Sequence, residues 1–208
     1  MYLKTVAELG GCVTPVSIAN VADRLDVTAV SANEMMKRLT EQGFISRTPY
    51  KGVELTENGR VAAYSVIRRQ RLWECFLVDN LKLGWAGAYE AACRLEHATS
   101  NVLAESLSAY LGNPTACPHG HPIPTAAGEL AVLQGRSLLQ LRKGENGRVE
   151  AIMHTTTAIA AYFYERNIVP QQEITVKDIA PLDGPFTIAV GDETVILGHS
   201  LADLVIII

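Results

Sequence analysis

Cys93, Glu96 and His97 stand at i, i+3 and i+4 in the run Cys93-Arg94-Leu95-Glu96-His97. On a helix this spacing puts a thiol, a carboxylate and an imidazole on one face, within reach of one ion. A thiolate paired with an imidazole favours iron, cobalt, nickel or zinc over magnesium or calcium. The plainer reading is a buried cysteine, an exposed acid and a surface histidine, because groupings of three such residues also arise by chance. A second set of sulfur and nitrogen donors, Cys117, His119 and His121, lies in the stretch Gly112 to Gly128. Four prolines in eleven residues make a helix impossible there, so the stretch reads as a linker or an ordered strap. Its structural reading is a path fixed by prolines, with solvated histidines.

A hydrolytic reading of Cys93-x-x-Glu96-His97 is open as well, because it resembles the HxxEH helix of inverted zinc peptidases with Cys in place of the first His. Glu96 would then be the general base, leaving Cys93 and His97 as ligands. The sequence offers no Gly-rich phosphate loop, nucleophile elbow or dinucleotide fingerprint as another catalytic route. The expectation is a protein that is not an enzyme.

The elements that must position these groups follow from periodicity. Ile18, Val21, Ala22, Leu25, Val27, Val30, Met35, Met36 and Leu39 recur at helical spacing, with a break near Asp26-Val27-Thr28 and a stop at Gly43. Two β-prone runs follow, Phe44 to Thr48 and Lys51 to Leu55, around a Pro and Gly turn. Helix, helix, ribbon is the order of a winged helix-turn-helix. The signal Thr56-Glu57-Asn58-Gly59 opens one long helix expected to reach about Leu81, followed by a helix from about Trp85 to His97. Ser100 can cap a third, from Asn101 to Leu111. These helices carry more apolar surface than they can bury among themselves, which predicts self-association. Beyond the strap, short alternating runs at 147–153, 173–176, 186–190 and 193–197, with one helix near Thr157 to Glu165, predict a small five-stranded barrel. The expected fold is mainly α with a small β domain. Its parts are a winged helix-turn-helix over 1–60, a helical metal-binding and dimerisation domain over 61–112, a Pro-rich strap over 113–135 and an SH3-like, FeoA-like barrel over 136–208.

With 208 residues and 48% hydrophobic composition, the chain can build a real core, and no apolar run approaches the ~20 residues that span a bilayer. No secretion signal opens the chain, and its four cysteines follow no disulfide framework, so a reducing cytoplasm is the expected compartment. The net charge of −4 argues at first sight against nucleic acid. The charge is unevenly spread, however: residues 1–72 carry +3 and residues 73–208 carry −7.

In order, the winged helix-turn-helix, long helix, CxxEH helix, Cys117-Pro118-His119-Gly120-His121-Pro122-Ile123-Pro124 strap and C-terminal barrel resemble the diphtheria toxin repressor and manganese transport regulator family. These are metal-dependent transcriptional repressors. The resemblance covers essentially the whole chain, including Met1-Tyr2-Leu3-Lys4-Thr5, Glu34 to Leu39, Leu55 to Arg60, Arg71-Leu72-Trp73-Glu74 and Glu90 to His97. It implies a primary activating site of Met1, Cys93, Glu96 and His97, the Met and Cys pair marking the iron-type branch. At the family's ancillary positions stand Gln70, Glu74 and Tyr89, so two imidazoles are missing. Glu74 would find new partners in Cys117, His119, His121 or His154, with Arg71 nearby.

The implied cofactor is Fe2+ or Mn2+, with Co2+, Ni2+ or Zn2+ as substitutes. The implied partners are a second copy of the chain and double-stranded palindromic operator DNA, with no membrane and no small organic substrate. Thr28, Ser31, Asn33 and Glu34 on the second helix are the expected base readers, Asn33 being suited to adenine. Lys37, Arg38, Arg47 and Lys51 would hold phosphates. The alternative to this reading is a winged-helix regulator that needs no metal.

Overall fold

The computed structural model describes residues 1–153 and 157–208, and the chain divides into two units, 1–69 with 124–130 and 70–123 with 131–208. His154, a sequence-based candidate, lies outside the described residues.

The first unit opens with α1 (Tyr2–Glu8), a helix that sequence periodicity did not bring out. Next come α2 (Ile18–Leu25) and α3 (Ala29–Glu41). The Ser17 side chain caps α2 by accepting from the Asn20 N–H, and Thr28 caps α3 by accepting from the Ser31 N–H. Between them Asp26 adopts a left-handed φ of 52°, which ends α2 and turns the chain. Strands β1 (Ile45–Thr48) and β2 (Gly52–Leu55) pair antiparallel, with Ile45 opposite Leu55 and Thr48 opposite Gly52. Val16 exchanges both backbone hydrogen bonds with Val53, at 2.9 Å each, which ties β2 to the approach to α2. Gly52 is obligatory here, since its φ is +125° and a Cβ would stand 2.0 Å from the Val16 carbonyl oxygen. Val6, Val16, Val21, Met36, Ile45 and Val53 form this unit's core.

The long helix α4 (Glu57–Cys75) changes unit after Arg69. It does not run unbroken to Leu81: the chain stays helical but widens into a π turn over Phe76–Asn80. In the second unit α5 (Trp85–Ala98) and α6 (Asn101–Tyr110) follow, α6 capped by Ser100. Then come β3 (Arg136–Ser137), a short 3-10 turn (Leu138–Gln140), β4 (Asn146–Ile152), α7 (Thr157–Glu165), β5 (Glu173–Ile179), β6 (Phe186–Val190), β7 (Glu193–Leu197), α8 (His199–Asp203) and β8 (Val205–Ile207). Among the described residues the sheet has six strands rather than five, all paired antiparallel, in the order β3-β8-β4-β5-β6-β7. The additional pairing comes from the apolar C-terminal run, which lies between β3 and β4. Its core includes Phe163, Ile152, Ile174, Ile188 and Leu197, and Trp85 from the start of α5 belongs to the same cluster.

The Pro-rich stretch is ordered and held by arginines of α4. In the first unit Arg68 donates to the Pro124 carbonyl at 2.9 Å and Arg60 to the Gly128 carbonyl at 2.8 Å. In the second unit Arg71 donates to the Pro122 carbonyl. Carbonyls that no helix or ladder uses are thereby satisfied by charged donors. No helix among the described residues is long and apolar enough to cross a membrane.

Candidate metal centre and DNA-reading face

Glu74 near the end of α4, with Cys117 and His119 of the strap, brings a carboxylate oxygen, a thiol sulfur and an imidazole nitrogen within 4.8 Å of one another. All three residues are buried. The i, i+4 pair Gln70 and Glu74 shares a face of α4, and Gln70 Nε2 donates to Glu74 Oε1 at 2.8 Å. The other oxygen, Oε2, lies 3.4 Å from His119 Nδ1. The strap reaches this point through a tight turn in which the Cys117 N–H donates to the His121 carbonyl at 2.9 Å and the Gly120 N–H to the Cys117 carbonyl at 2.8 Å. Gly120, at φ +86°, makes the turn possible. The turn is seated on the sheet, because the Ile152 N–H donates to the His119 carbonyl at 2.9 Å. The strap meets β4 where its register against β8 slips between Val149 and Ala151.

The electrostatics suit a cation. Burial works to raise the Glu74 carboxyl, yet the hydrogen bond and charge of His119, helped by Gln70 and Arg71, hold it below the ordinary carboxylate value. Burial, reinforced by the Glu74 charge, pushes the Cys117 thiol well above its usual value. Burial likewise lifts Cys75, whose thiol donates to the Ala116 carbonyl, to about 12. A carboxylate, a thiol that a bound cation would deprotonate and an imidazole make a donor set for a borderline transition metal. The donor chemistry therefore fits the group that the sequence implies. His121, expected alongside these residues, is not among the gathered ligand atoms and contributes its backbone carbonyl to the turn instead.

Cys93, Glu96 and His97 lie on α5, with Cys93 half-buried, Glu96 buried and the His97 side chain 59% exposed. Glu96 Oε1 is 3.2 Å from His97 Nε2. Met1 directly precedes α1 in the first unit, makes no side-chain capping hydrogen bond and is 66% exposed. Tyr89 is also partly exposed on α5.

The residues expected to read DNA, Thr28, Ser31, Asn33, Glu34, Lys37, Arg38, Arg47 and Lys51, are all exposed. The Thr28 and Ser31 hydroxyls are engaged with each other at 2.9 Å at the start of α3. Arg47 Nη2 donates to Asn33 Oδ1 at 2.7 Å, linking ribbon to helix. This changes how both residues read. A bidentate adenine contact uses the Asn33 carbonyl oxygen as acceptor, and Arg47 takes one of that oxygen's two lone pairs, fixing how the amide is turned. The expected consequence is that Arg47→Ala alters base preference at one operator position while leaving the salt dependence of binding unchanged. A pure phosphate contact would instead lower the salt slope by about one. Binding titrations at several salt concentrations separate the two outcomes. Val30, counted among the periodic apolar positions, is not packed inward but 76% exposed on α3, where a valine beside the helix start is suited to apolar contact with a thymine methyl.

The family description "Iron dependent repressor, N-terminal DNA binding domain" matches residues 1–53. "Iron dependent repressor, metal binding and dimerisation domain" matches 56–125, and "FeoA domain" matches 136–208. The chain is 31% identical over 218 residues to the iron-dependent repressor IdeR of Mycobacterium leprae, covering 99% of this chain and 94% of that protein. To the diphtheria toxin repressor of Corynebacterium efficiens it is 31% identical over 159 residues, covering 73% of this chain and 68% of that one. Among solved structures, a manganese-dependent transcriptional repressor in complex with manganese superposes with a TM-score of 0.91 at 33% identity, covering 100% of this chain and 97% of the other. The repressor ScaR with bound Zn2+ superposes at 0.85 and 26% identity, covering 100% and 97%.

Proposed function

Because this chain belongs to the iron-dependent repressor family of metal-dependent transcriptional repressors, we propose that Fe2+ or Mn2+ acts as its corepressor through two groups of ligands. Met1, Cys93, Glu96 and His97 are the ligands of the activating site that the resemblance implies. Glu74, Cys117 and His119 form a second centre that fastens the strap. When bound, the metal supplies positive charge and fixed ligand directions. The protein residues supply the rest: α3 reads bases with Asn33, Glu34 and Val30, while Lys37, Arg38 and Lys51 meet phosphates.

The observation that carries this reading is the buried carboxylate, thiol and imidazole gathered within 4.8 Å, in a chain whose other unit is a winged helix-turn-helix. A homodimer presents two recognition helices to a palindromic operator, with half-sites one helical turn apart, ~34 Å. The chain acts in the cytoplasm on genes of metal uptake or storage. It takes no membrane or small organic substrate, and it catalyses no reaction.

Operator binding before and after chelator treatment tests the proposal. The metal-loaded protein is expected to bind about 5–150-fold more tightly than the chelated protein, the range of a typical allosteric coupling. Equal affinity in the two states would establish a metal-independent regulator instead.

A further inference from the structure

The ligands of the Glu74, Cys117 and His119 centre are held by groups that are not ligands. Gln70 is 3% exposed and its Nε2 donates to Glu74 Oε1 at 2.8 Å. The terminal torsion of a glutamate is broad and two-fold, so a single buried donor on one oxygen decides which oxygen faces the strap. An amide nitrogen has no lone pair to offer a cation, so this group orients the carboxylate without competing for the metal.

The imidazole of His119 faces a similar torsional freedom, and Trp85 limits it. The two ring centroids are 4.5 Å apart with planes at 55°. Trp85 is itself immobilised: it is 4% exposed, lies 5.4 Å from the Tyr164 ring of α7 and packs in the core of the β domain. As the first residue of α5, it is positioned by a helix rather than by a loop.

We infer that Gln70 and Trp85 are the positioning residues of this centre, Gln70 fixing the Glu74 carboxylate and Trp85 fixing the His119 ring. The inference rests on the reading of Glu74, Cys117 and His119 as metal ligands and deepens it. Partners that orient metal ligands typically change affinity by about 10–100-fold when removed.

The test uses the full-length chain carrying Cys93→Ser, in which Cys117 is the remaining thiol among the proposed ligands. Anaerobic Co2+ titration reads the thiolate-to-cobalt charge-transfer band and the visible ligand-field bands, and Cys117→Ser in the same background identifies the band of this centre. In that parent, Gln70→Met and Trp85→Leu are expected to weaken Co2+ binding about 10–100-fold and to shift the ligand-field bands. Trp85→Phe, which keeps an aromatic wall, is expected to stay within about threefold of the parent. Circular dichroism of the metal-free variants establishes that they are folded. If Trp85→Leu does not fold, Gln70→Met decides the matter, since it leaves the aromatic core intact. Parental affinity and an unchanged spectrum in Gln70→Met would overturn the inference while leaving the centre standing. A parent with no band dependent on Cys117 would remove the centre itself, and the inference with it.

Discussion

Gly120→Ala is expected to destabilise the second unit by about 3 kcal/mol or more and to abolish metal uptake at the Glu74, Cys117 and His119 centre. Two effects add. The residue sits at φ +86°, where any side chain is strained, and a Cβ there would stand 2.0 Å from the Glu150 carbonyl oxygen and 2.7 Å from Ala151 Cα. Those atoms belong to the backbone of β4, which is paired with both β5 and β8 and has little room to yield. The strap would have to lift, breaking the hydrogen bond from Ile152 to the His119 carbonyl and carrying the imidazole away from Glu74. Gly144 is the control, with φ +88° but nothing within 4 Å of a Cβ. Its alanine variant bears the conformational strain alone, about 1–2 kcal/mol. Thermal melts of the metal-free variants, followed by Co2+ titration, measure both effects. Equal melting of Gly120→Ala and Gly144→Ala would show that the approach of strap to β4 does not hold the centre together.

Cys93→Ala and His97→Ala are expected to remove the metal response of operator binding, a loss of about 5–150-fold in affinity at saturating metal, while the dimer persists. The reason is spatial: both side chains lie on the α5 face with Glu96, and neither belongs to the buried clusters that build the second unit's core. His97 is largely exposed, so its removal leaves no cavity. Sedimentation velocity on both variants establishes the dimer, and operator titration with and without Mn2+ reads the coupling. Retention of the full metal response in both variants would refute the assignment of the activating site to this helix. A shift of both variants to monomer would refute the separation of the metal site from dimerisation.

Local structure was largely legible. Thr28 and Ser100 announce helix starts because a side-chain oxygen next to free N–H groups is a local arrangement, complete within four residues. Gly43 ends α3, and the turn signals at 183–185 and 191–192 separate strands for equally local reasons. The elements missed or altered depend on longer range. The C-terminal run Val205 to Ile207 is a strand only because β3 and β4 flank it, and α1 is short with a weak pattern of its own. The end of the long helix widens to a π turn that no residue in Phe76 to Asn80 marks.

The sequence by itself determined which chemistry was available: sulfur, carboxylate and imidazole donors, one set at helical spacing and another in a proline-fixed strap. It also placed the excess positive charge in the part of the chain that matches a DNA-binding domain. Only the tertiary structure decided which donors meet. Glu74 joins Cys117 and His119 because Arg71 holds the strap to α4 and Gly120 lets it lie against β4, contacts between residues far apart in the chain. The same turn that brings in Cys117 and His119 uses His121 for its backbone carbonyl, and its side chain stays out of the group. Periodicity reports which residues share a face of one element. Which faces come together is set by packing and by the carbonyls and glycines that permit close approach, and a linear pattern does not encode that.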